Sequence, residues 1–264
     1  PVLAAGLLRA RTMGIVFRDD LELEKAGEAD AVVLRKRGVL VEPGSDVLEF
    51  HHLGELPRET ILALVASCEE IASRSVSAEA LMRYARSEGV RPGDTRLTRW
   101  FASKGVQSTS PFGEVFVGNR LFLIENGISV GRGEEVAQEA EKRGHTAIFI
   151  SIDRQIEAVA VLVNRLHRSG RPAVDRARKL GIASVLVTGD SSRTAESIGQ
   201  AVGVDQIRPE VAVGGREKEI ARLRDSGYRL AVLGNVSMGP EEASDDRDVN
   251  LALGWDGDAP VDAR

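Results

Sequence analysis

From residue 156 onward, apolar positions come in short unbroken runs separated by charged amphipathic stretches. IEAVAVLVN (156–164), IASVLVT (182–188), YRLAVLG (228–234) and DVNLALG (248–254) each read as a strand buried on both faces. Between them the spacing predicts a helix at about 171–180 closed by Gly181, and another from Ser191 or Ser192 to Val202. The second carries Ala195, Ile198, Ala201 and Val202 at helical spacing and ends at Gly203. VDQIRPEV reads as a short strand and turn, and a charged helix runs from Arg216 to about Ser226. Strands alternating with helices predict a parallel sheet, helix-covered on both faces, with right-handed crossovers.

The first half has a different rhythm. Residues 1–28 read as a helical lead-in, and ADAVVL (29–34) as a buried strand of the same parallel sheet. Residues 57–73 predict an amphipathic helix with Ile61, Leu62, Leu64, Val65, Cys68 and Ile71 on one face. A second helix runs from Glu79 to Ser87 and closes at Gly89. After the turn RPGD (91–94), the segments RLTRWFA, EVFVGN and HTAIFISID predict antiparallel strands, with helices at 119–126 and 133–143 between them. Trp100 and Phe101 are expected in the core, and His51 and His52 in a loop. The expected organisation is a lead-in at 1–28, a sheet domain of 29–45 plus 156–264, and an α+β insert at 46–155.

Composition narrows the function classes. The chain has 264 residues, 42% apolar and 28% charged, which suits a folded domain rather than a disordered segment. With 35 Lys+Arg against 40 Asp+Glu it lacks the basic excess of a nucleic-acid binder, so no nucleic-acid partner is expected. Its single cysteine, Cys68, excludes an internal disulfide and a cysteine-cluster zinc site and reads as core. The four histidines leave little for a histidine-built metal site. No apolar run is long enough to span a bilayer, and no stretch reads as a signal peptide. The chain begins at Pro1 and reads as a piece of something longer.

TGDSSRTAESIGQAVGV (188–204) carries the strongest local chemistry. A strand ends at Thr188, Gly189 permits a tight turn, and Asp190 stands just before a helix. The carboxyl ends of parallel strands bind ligands, and a hydroxyl beside helix N–H groups suits a phosphate. Asp190 or Ser191 acting simply as a helix cap is the competing reading. The run Arg35-Lys36-Arg37 at a strand end reads as an anion pocket or as a solvated loop, and the acidic run from Glu241 to Asp248 as a solvated surface.

The whole stretch resembles the hinge motif of P-type ATPases, TGDNxxTAxxIAxxxGI. Further matches follow in that family's order. EADAVVLRKRGVLVEPG (28–44) resembles the phosphorylation strand with its DKTGT of the heavy-metal-transporting class, and FGEVFVGNRLFLIENGI (112–128) resembles that class's nucleotide-domain segment. AVAVLVNRLHRSGRPAVDRARKLGIASVLVTGD (158–190), QIRPEVAVGGREKEI (206–220) and LAVLGNVSMGPEEASDDRDVNLALG (230–254) match the later elements. The resemblance implies a haloacid-dehalogenase-like Rossmannoid α/β domain with parallel sheet, the phosphorylation domain, interrupted by an α+β nucleotide-binding domain.

It also implies a site, and the residues depart from it. The family's phosphoacceptor aspartate falls on Arg35, so that DKTGT reads RKRGV and only Lys36 and Gly38 survive. Covalent phosphoryl transfer needs a carboxylate nucleophile, and a guanidinium is none. The metal-binding GDGxND reads GNVSMG, placing Asn235 and Gly239 where carboxylates stand, and the phosphate-contacting lysine becomes Arg216. Thr188, Gly189 and Asp190 keep their motif. In the insert the adenine-binding SEHP reads SVSA (75–78), so its His becomes Ser77. The Glu five residues earlier becomes Ala72, and the GxG loop reads Ser103-Lys104-Gly105.

The packing pattern is kept while the catalytic positions are lost. The resemblance therefore implies a headpiece at the cytoplasmic face of the membrane, catalytically inactive and structural or regulatory in transport. Its partners would be membrane-embedded helices of the same or a neighbouring chain, and an active P-type ATPase unit. No metal site and no cofactor are expected. The alternative is an active headpiece with atypical motifs, which would use Mg-ATP.

Overall fold

Two sheets organise the chain, one wholly parallel and one wholly antiparallel. The structure, a computed structural model, describes residues 2–71, 75–212, 214–235 and 248–253. In chain order its elements are α1 (Val2–Thr12), α2 (Asp20–Glu28), β1 (Ala31–Arg35), β2 (Val47–His52), α3 (Arg58–Ile71) and α4 (Val76–Ser87). There follow β3 (Arg96–Phe101), β4 (Gly105–Ser110), β5 (Gly113–Gly118), α5 (Arg120–Glu125), α6 (Gly131–Lys142), β6 (Thr146–Ile152) and β7 (Gln155–Leu162). The last third holds α7 (Gly170–Lys179), β8 (Ala183–Val187), α8 (Ser192–Val202), β9 (Gln206–Arg208), α9 (Arg216–Asp225), β10 (Leu230–Asn235) and β11 (Val249–Leu253).

Contacts divide these elements into two units. The first comprises residues 1–41, 167–188 and 199–264, and the second residues 42–166 with 189–198. The first unit holds the parallel sheet in the order β11-β10-β1-β8-β9. β1 lies in the middle, with Leu34 in register with Leu186 on one side and Leu233 on the other, so VVLR and VLV share one sheet. Ala31, Val33, Val185, Val187, Leu230 and Val232 form one packed face, covered by Ile220 and Leu223 of α9. Burying such side chains contributes about 1.5–3 kcal/mol each, enough to fix the register of short strands. At the start of β8, Asp205 accepts from both the backbone N (2.9 Å) and the hydroxyl (2.7 Å) of Ser184, which ties β8 to β9.

The second unit carries the antiparallel sheet β2-β7-β6-β5-β4-β3. One face packs against α3 and α4, joining Ile61, Leu64, Val65, Cys68 and Leu81 to Ile148, Ile150, Ala158 and Ala160. The other packs against α5 and α6, joining Phe122, Leu123 and Ala137 to Ala147, Phe149 and Val159.

This double covering corrects the placement of IEAVAVLVN. The run becomes β7, but it pairs antiparallel with β2 and β6 instead of joining the parallel sheet. An unbroken apolar run reports burial on both faces, which β7 has between two helix layers. The chain therefore returns to the parallel sheet after residue 162, not at 156.

Three further expectations change. His51 and His52 lie in β2 rather than in a loop, and His51 Nε2 stands 2.8 Å from Glu49 Oε2. Trp100 and Phe101 lie in β3 as expected, but at 53% and 36% exposure they are not core, because among the described residues β3 is an edge strand paired with β4 alone. Asp248, read as part of a solvated acidic run from Glu241, is buried and ion-paired with Arg224. Residues 241–247 of that run lie outside the described residues.

Candidate functional site

The order of the parallel sheet fixes where a ligand would sit. From β1 the chain builds outward through β8 and β9, then crosses to the other side of β1 to lay down β10 and β11. The crevice outside the carboxyl ends of strands at such a reversal is where open α/β sheets bind ligands. Here β1 ends at Arg35 and β10 at Asn235.

Backbone geometry gathers the neighbouring groups. Arg35 is in register with Val187, and Val187 with Arg208 across the next strand pair. Past β1 the chain folds into a tight turn: Lys36 O accepts from Leu40 N and Val41 N, both at 2.9 Å, and Gly38 N donates to Val41 O at 2.7 Å. Gly38 holds φ 75, a left-handed conformation that disfavours a side chain, which accounts for a glycine here whatever the catalytic state of its neighbours. Lys36 and Thr188 are both buried. Thr188 N donates to Arg208 O and Thr188 O accepts from Val211 N, each at 3.0 Å, so the backbone of Thr188 is committed to structure.

Arg216 opens α9, and its Nη1 donates to Val187 O at 3.3 Å. It therefore reaches the carbonyl of the residue that registers with Arg35. Burial, and then the charge of Arg35, push the Arg216 pKa down to about 9, while burial lowers that of Arg35. Both guanidinium groups remain charged at neutral pH. Arg208, at the end of β9, adds a third and faces Glu219 at 3.8 Å. The sequence reading passed over Arg208; a cation closing a short strand just before Pro209 was its only signal.

Arg35 itself is no phosphoacceptor. Arg35 offers no lone pair for attack on phosphorus. Nor do the residues fit a hard divalent cation, which wants carboxylate oxygen at the ends of β1 and β10. Arg35 supplies positive charge at the end of β1, β10 ends on an asparagine in place of a carboxylate residue, and Gly239 lies outside the described residues. Among the described residues no group of three or more His, Cys, Asp or Glu side chains is placed to hold a metal ion. Gly189 and Asp190 continue from Thr188 into the turn before α8, where Ser191 Oγ accepts from Thr194 N at 3.4 Å and supplies the cap.

The expected nucleotide positions belong to the second unit. Ala72 lies outside the described residues. Ser77 stands in the first turn of α4, whose cap is Ser75 accepting from Ala78 N at 3.0 Å. Ser103 and Gly105 lie at the turn joining β3 to β4, with Ser103 at φ 57. α4 lies against β2 and this turn joins β3 and β4, so the two groups come from elements at opposite edges of the sheet.

Asn119 organises the turn. Its Nδ2 donates to Ser103 O at 3.0 Å, its N to Lys104 O at 2.9 Å, and its Oδ1 caps α5 by accepting from Phe122 N at 2.9 Å. A cap-type residue opening the helix predicted at 119–126 was the signal in the sequence.

Residues 29–233, more than half of the chain, match the family described as haloacid dehalogenase-like hydrolase. The chain belongs to that family. Among relatives of this haloacid dehalogenase-like chain is a copper-exporting P-type ATPase of Staphylococcus epidermidis, 27% identical over 259 residues, covering 98% of this chain and 32% of that protein. Another is the probable copper-transporting ATPase PacS of Synechococcus elongatus, 28% identical over 252 residues, covering 95% and 33%. The chain thus spans about a third of the length of these relatives. In three dimensions it is similar to the catalytic domain of the CPx-ATPase CopB-B, with a TM-score of 0.67 at 16% identity, covering 87% of this chain and 80% of that one. It is also similar to a zinc-transporting PIB-type ATPase in its E2.Pi state, with a TM-score of 0.57 at 20% identity over 88% of this chain and 37% of the other. These structures establish the fold: a haloacid-dehalogenase-like parallel sheet with an antiparallel α+β partner. Among the described residues no helix is long and apolar enough to cross a membrane.

Proposed function

We propose that this chain is the cytoplasmic headpiece of a heavy-metal-transporting P-type ATPase that keeps the fold of the phosphorylation and nucleotide-binding domains and has lost their chemistry. Its role in transport is then structural or regulatory, exerted on membrane-embedded helices of the same or a neighbouring chain. The observation that carries this reading is Arg35 at the carboxyl end of β1, beside the switch point, where the resemblance requires the phosphoacceptor carboxylate. Asn235, Arg216, Ser77 and Ala72 support it, each replacing a group that the family's reaction uses.

The test is direct. Incubation with γ-labelled ATP and Mg²⁺ followed by acid quench should leave no hydroxylamine-sensitive label; stable label on a carboxylate would refute the proposal. Arg35→Asp alone should not restore turnover, because Asn235 still supplies no carboxylate for the metal. Recovery of a family-like rate from that single change would show that the remaining replacements are tolerated.

Nucleotide binding should be lost as well. Ser77 and Ala72 offer neither a stacking imidazole nor a carboxylate for the exocyclic amine. Two or three missing polar contacts at roughly 1–3 kcal/mol each remove several orders of magnitude in affinity. Calorimetric titration with ATP, with and without Mg²⁺, should therefore show no binding at micromolar concentrations. A low-micromolar dissociation constant abolished by Ser77→Ala would overturn this.

A further inference from the structure

Among the described residues the antiparallel sheet ends on β2 at one edge and β3 at the other, and the two edges are finished differently. β2 exposes Leu48, and its Glu49 is held by Arg143 and His51. β3 exposes Leu97 at 81%, together with Trp100 and Phe101. Arg99 between them is exposed and makes no ion pair among the described residues. Residues 91–101 carry Arg91, Arg96 and Arg99 against Asp94, a locally basic stretch in a chain of net charge -5. All of this lies within the second unit.

The register shows where these side chains project. Trp100 pairs with Val106, Val106 with Val117 and Val117 with Ile150, and those three belong to the core face covered by α3 and α4. Arg99 pairs with Gln107 and Gln107 with Phe116, on the face covered by α5 and α6, where the Phe101 ring lies 5.1 Å from that of Phe122. The exposed groups therefore stand on both faces of one strand. A partner on either face would reach only some of them. An extended segment along the edge reaches all of them through its own alternating side chains. Between Arg96 and Arg99 the pairing shifts register, and Leu97 at φ 56 holds a conformation that bulky side chains rarely adopt. A groove of about 300 Å³ lined by Asp94, Arg96, Thr109, Ser110 and Pro111 opens at that end of the strand.

Bulges and cations on an edge strand also guard against pairing between copies. That role accounts for Arg99 and the register shift. It does not account for exposed Leu97, Trp100 and Phe101, which add to the hazard. It also argues against a second copy as the occupant, because self-pairing would bring like cations together. We propose that β3 is a docking edge for an acidic, extended segment of a partner protein, which adds to the sheet beside β3. Its carboxylates face Arg99 and its apolar side chains cover Trp100 and Phe101. Trp and Arg are the side chains that most often anchor such interfaces.

The experiment pans the whole chain against displayed random peptides of about 12 residues, enough to span a strand. Enriched peptides are then synthesised, labelled and titrated by fluorescence anisotropy. Enrichment of sequences alternating apolar residues with Asp or Glu is expected, with dissociation constants of about 100 μM or tighter that weaken as salt is raised. Arg99→Glu and Trp100→Ser should each weaken binding at least about tenfold. Arg132→Glu, exposed on α6, which packs on β6 and β7 away from this edge, should leave it unchanged. Circular dichroism melts would confirm that the variants fold. Bound peptide should also slow amide exchange in β3 of the wild-type chain. Unaltered exchange there overturns the proposal even if no variant folds. So does enrichment without acidic bias, or binding indifferent to both substitutions in folded protein. A dimer of the chain dispersed by Arg99→Glu would assign the edge to a second copy instead, and oligothymidylate bound more tightly than any enriched peptide would assign it to nucleic acid; either result overturns the proposal.

Discussion

Replacing Gly105 with alanine should destabilise the antiparallel unit by about 3 kcal/mol, the cost of forcing a methyl into a closed contact. A Cβ built at Gly105 would lie 2.3 Å from Val117 O, 2.7 Å from Gly118 Cα and 2.8 Å from Phe122 Cδ1. Two of those atoms are backbone of the paired strand, and neither can rotate away. Gly105 and Gly118 are register partners between β4 and β5, and a Cβ on Gly118 would in turn meet Lys104 O at 2.5 Å. The pair leaves room for the Phe122 ring, which is 1% exposed, to lie against the strands. The glycine that the family resemblance assigns to an adenine loop is thus required by packing alone. Urea denaturation should show a lowered midpoint for Gly105→Ala. Gly27→Ala, at an exposed helical position with nothing within 4 Å, should leave the midpoint equal or higher. An unchanged midpoint for Gly105→Ala would mean that the strand pair relaxes, and the case for packing over ligand contact would fail.

How much of this could be read in the sequence depended on what each signal physically reports. The helices were legible because amphipathic spacing and glycine stops are local; Gly181 and Gly203, at φ 77 and 84, follow α7 and α8 where expected. The parallel strands β1, β8, β10 and β11 were legible because each lies in a short apolar run flanked by turns. β7 was misassigned because burial on both faces looks the same in a parallel sheet and in an antiparallel sheet between two helix layers. β4 was not anticipated, since GVQSTS carries polar side chains whose hydrogen bonds stand in for apolar burial. Ser108, 1% exposed, donates to Arg96 O at 2.9 Å and pairs with Thr98 Oγ1 at 2.8 Å. Of the candidate site, that residue 35 offers no carboxylate was legible from residue type alone. The placement of Arg216 at the same sheet edge came only from the family resemblance, because residues so far apart in the chain meet only through the sheet register.

Glu69 should make the antiparallel unit lose stability as pH rises through the neutral range. It lies on α3, 6% exposed and next to Cys68, whose own pKa burial pushes up to about 12. Burial raises the Glu69 carboxyl from an ordinary 4.5 to about 8, and no cation among the described residues offsets it. A folded-state pKa above the unfolded one gives stability that is fully present below the unfolded value and lost as pH rises through the folded value. Between pH 4.5 and 8 the unfolded chain has released this proton while the folded chain retains it, so each pH unit tilts the balance toward unfolding. The full span amounts to a few kcal/mol, at most about 5, since one pKa unit corresponds to roughly 1.4 kcal/mol. Glu69→Gln keeps the volume and removes the titration. Compared by urea unfolding, wild type and variant should differ little at pH 5, while at pH 8 the variant should be more stable by a few kcal/mol. Equal pH dependence in the two proteins would show that the carboxyl is solvated or paired at neutral pH, and that helix α3 carries no protonated glutamate in its buried face.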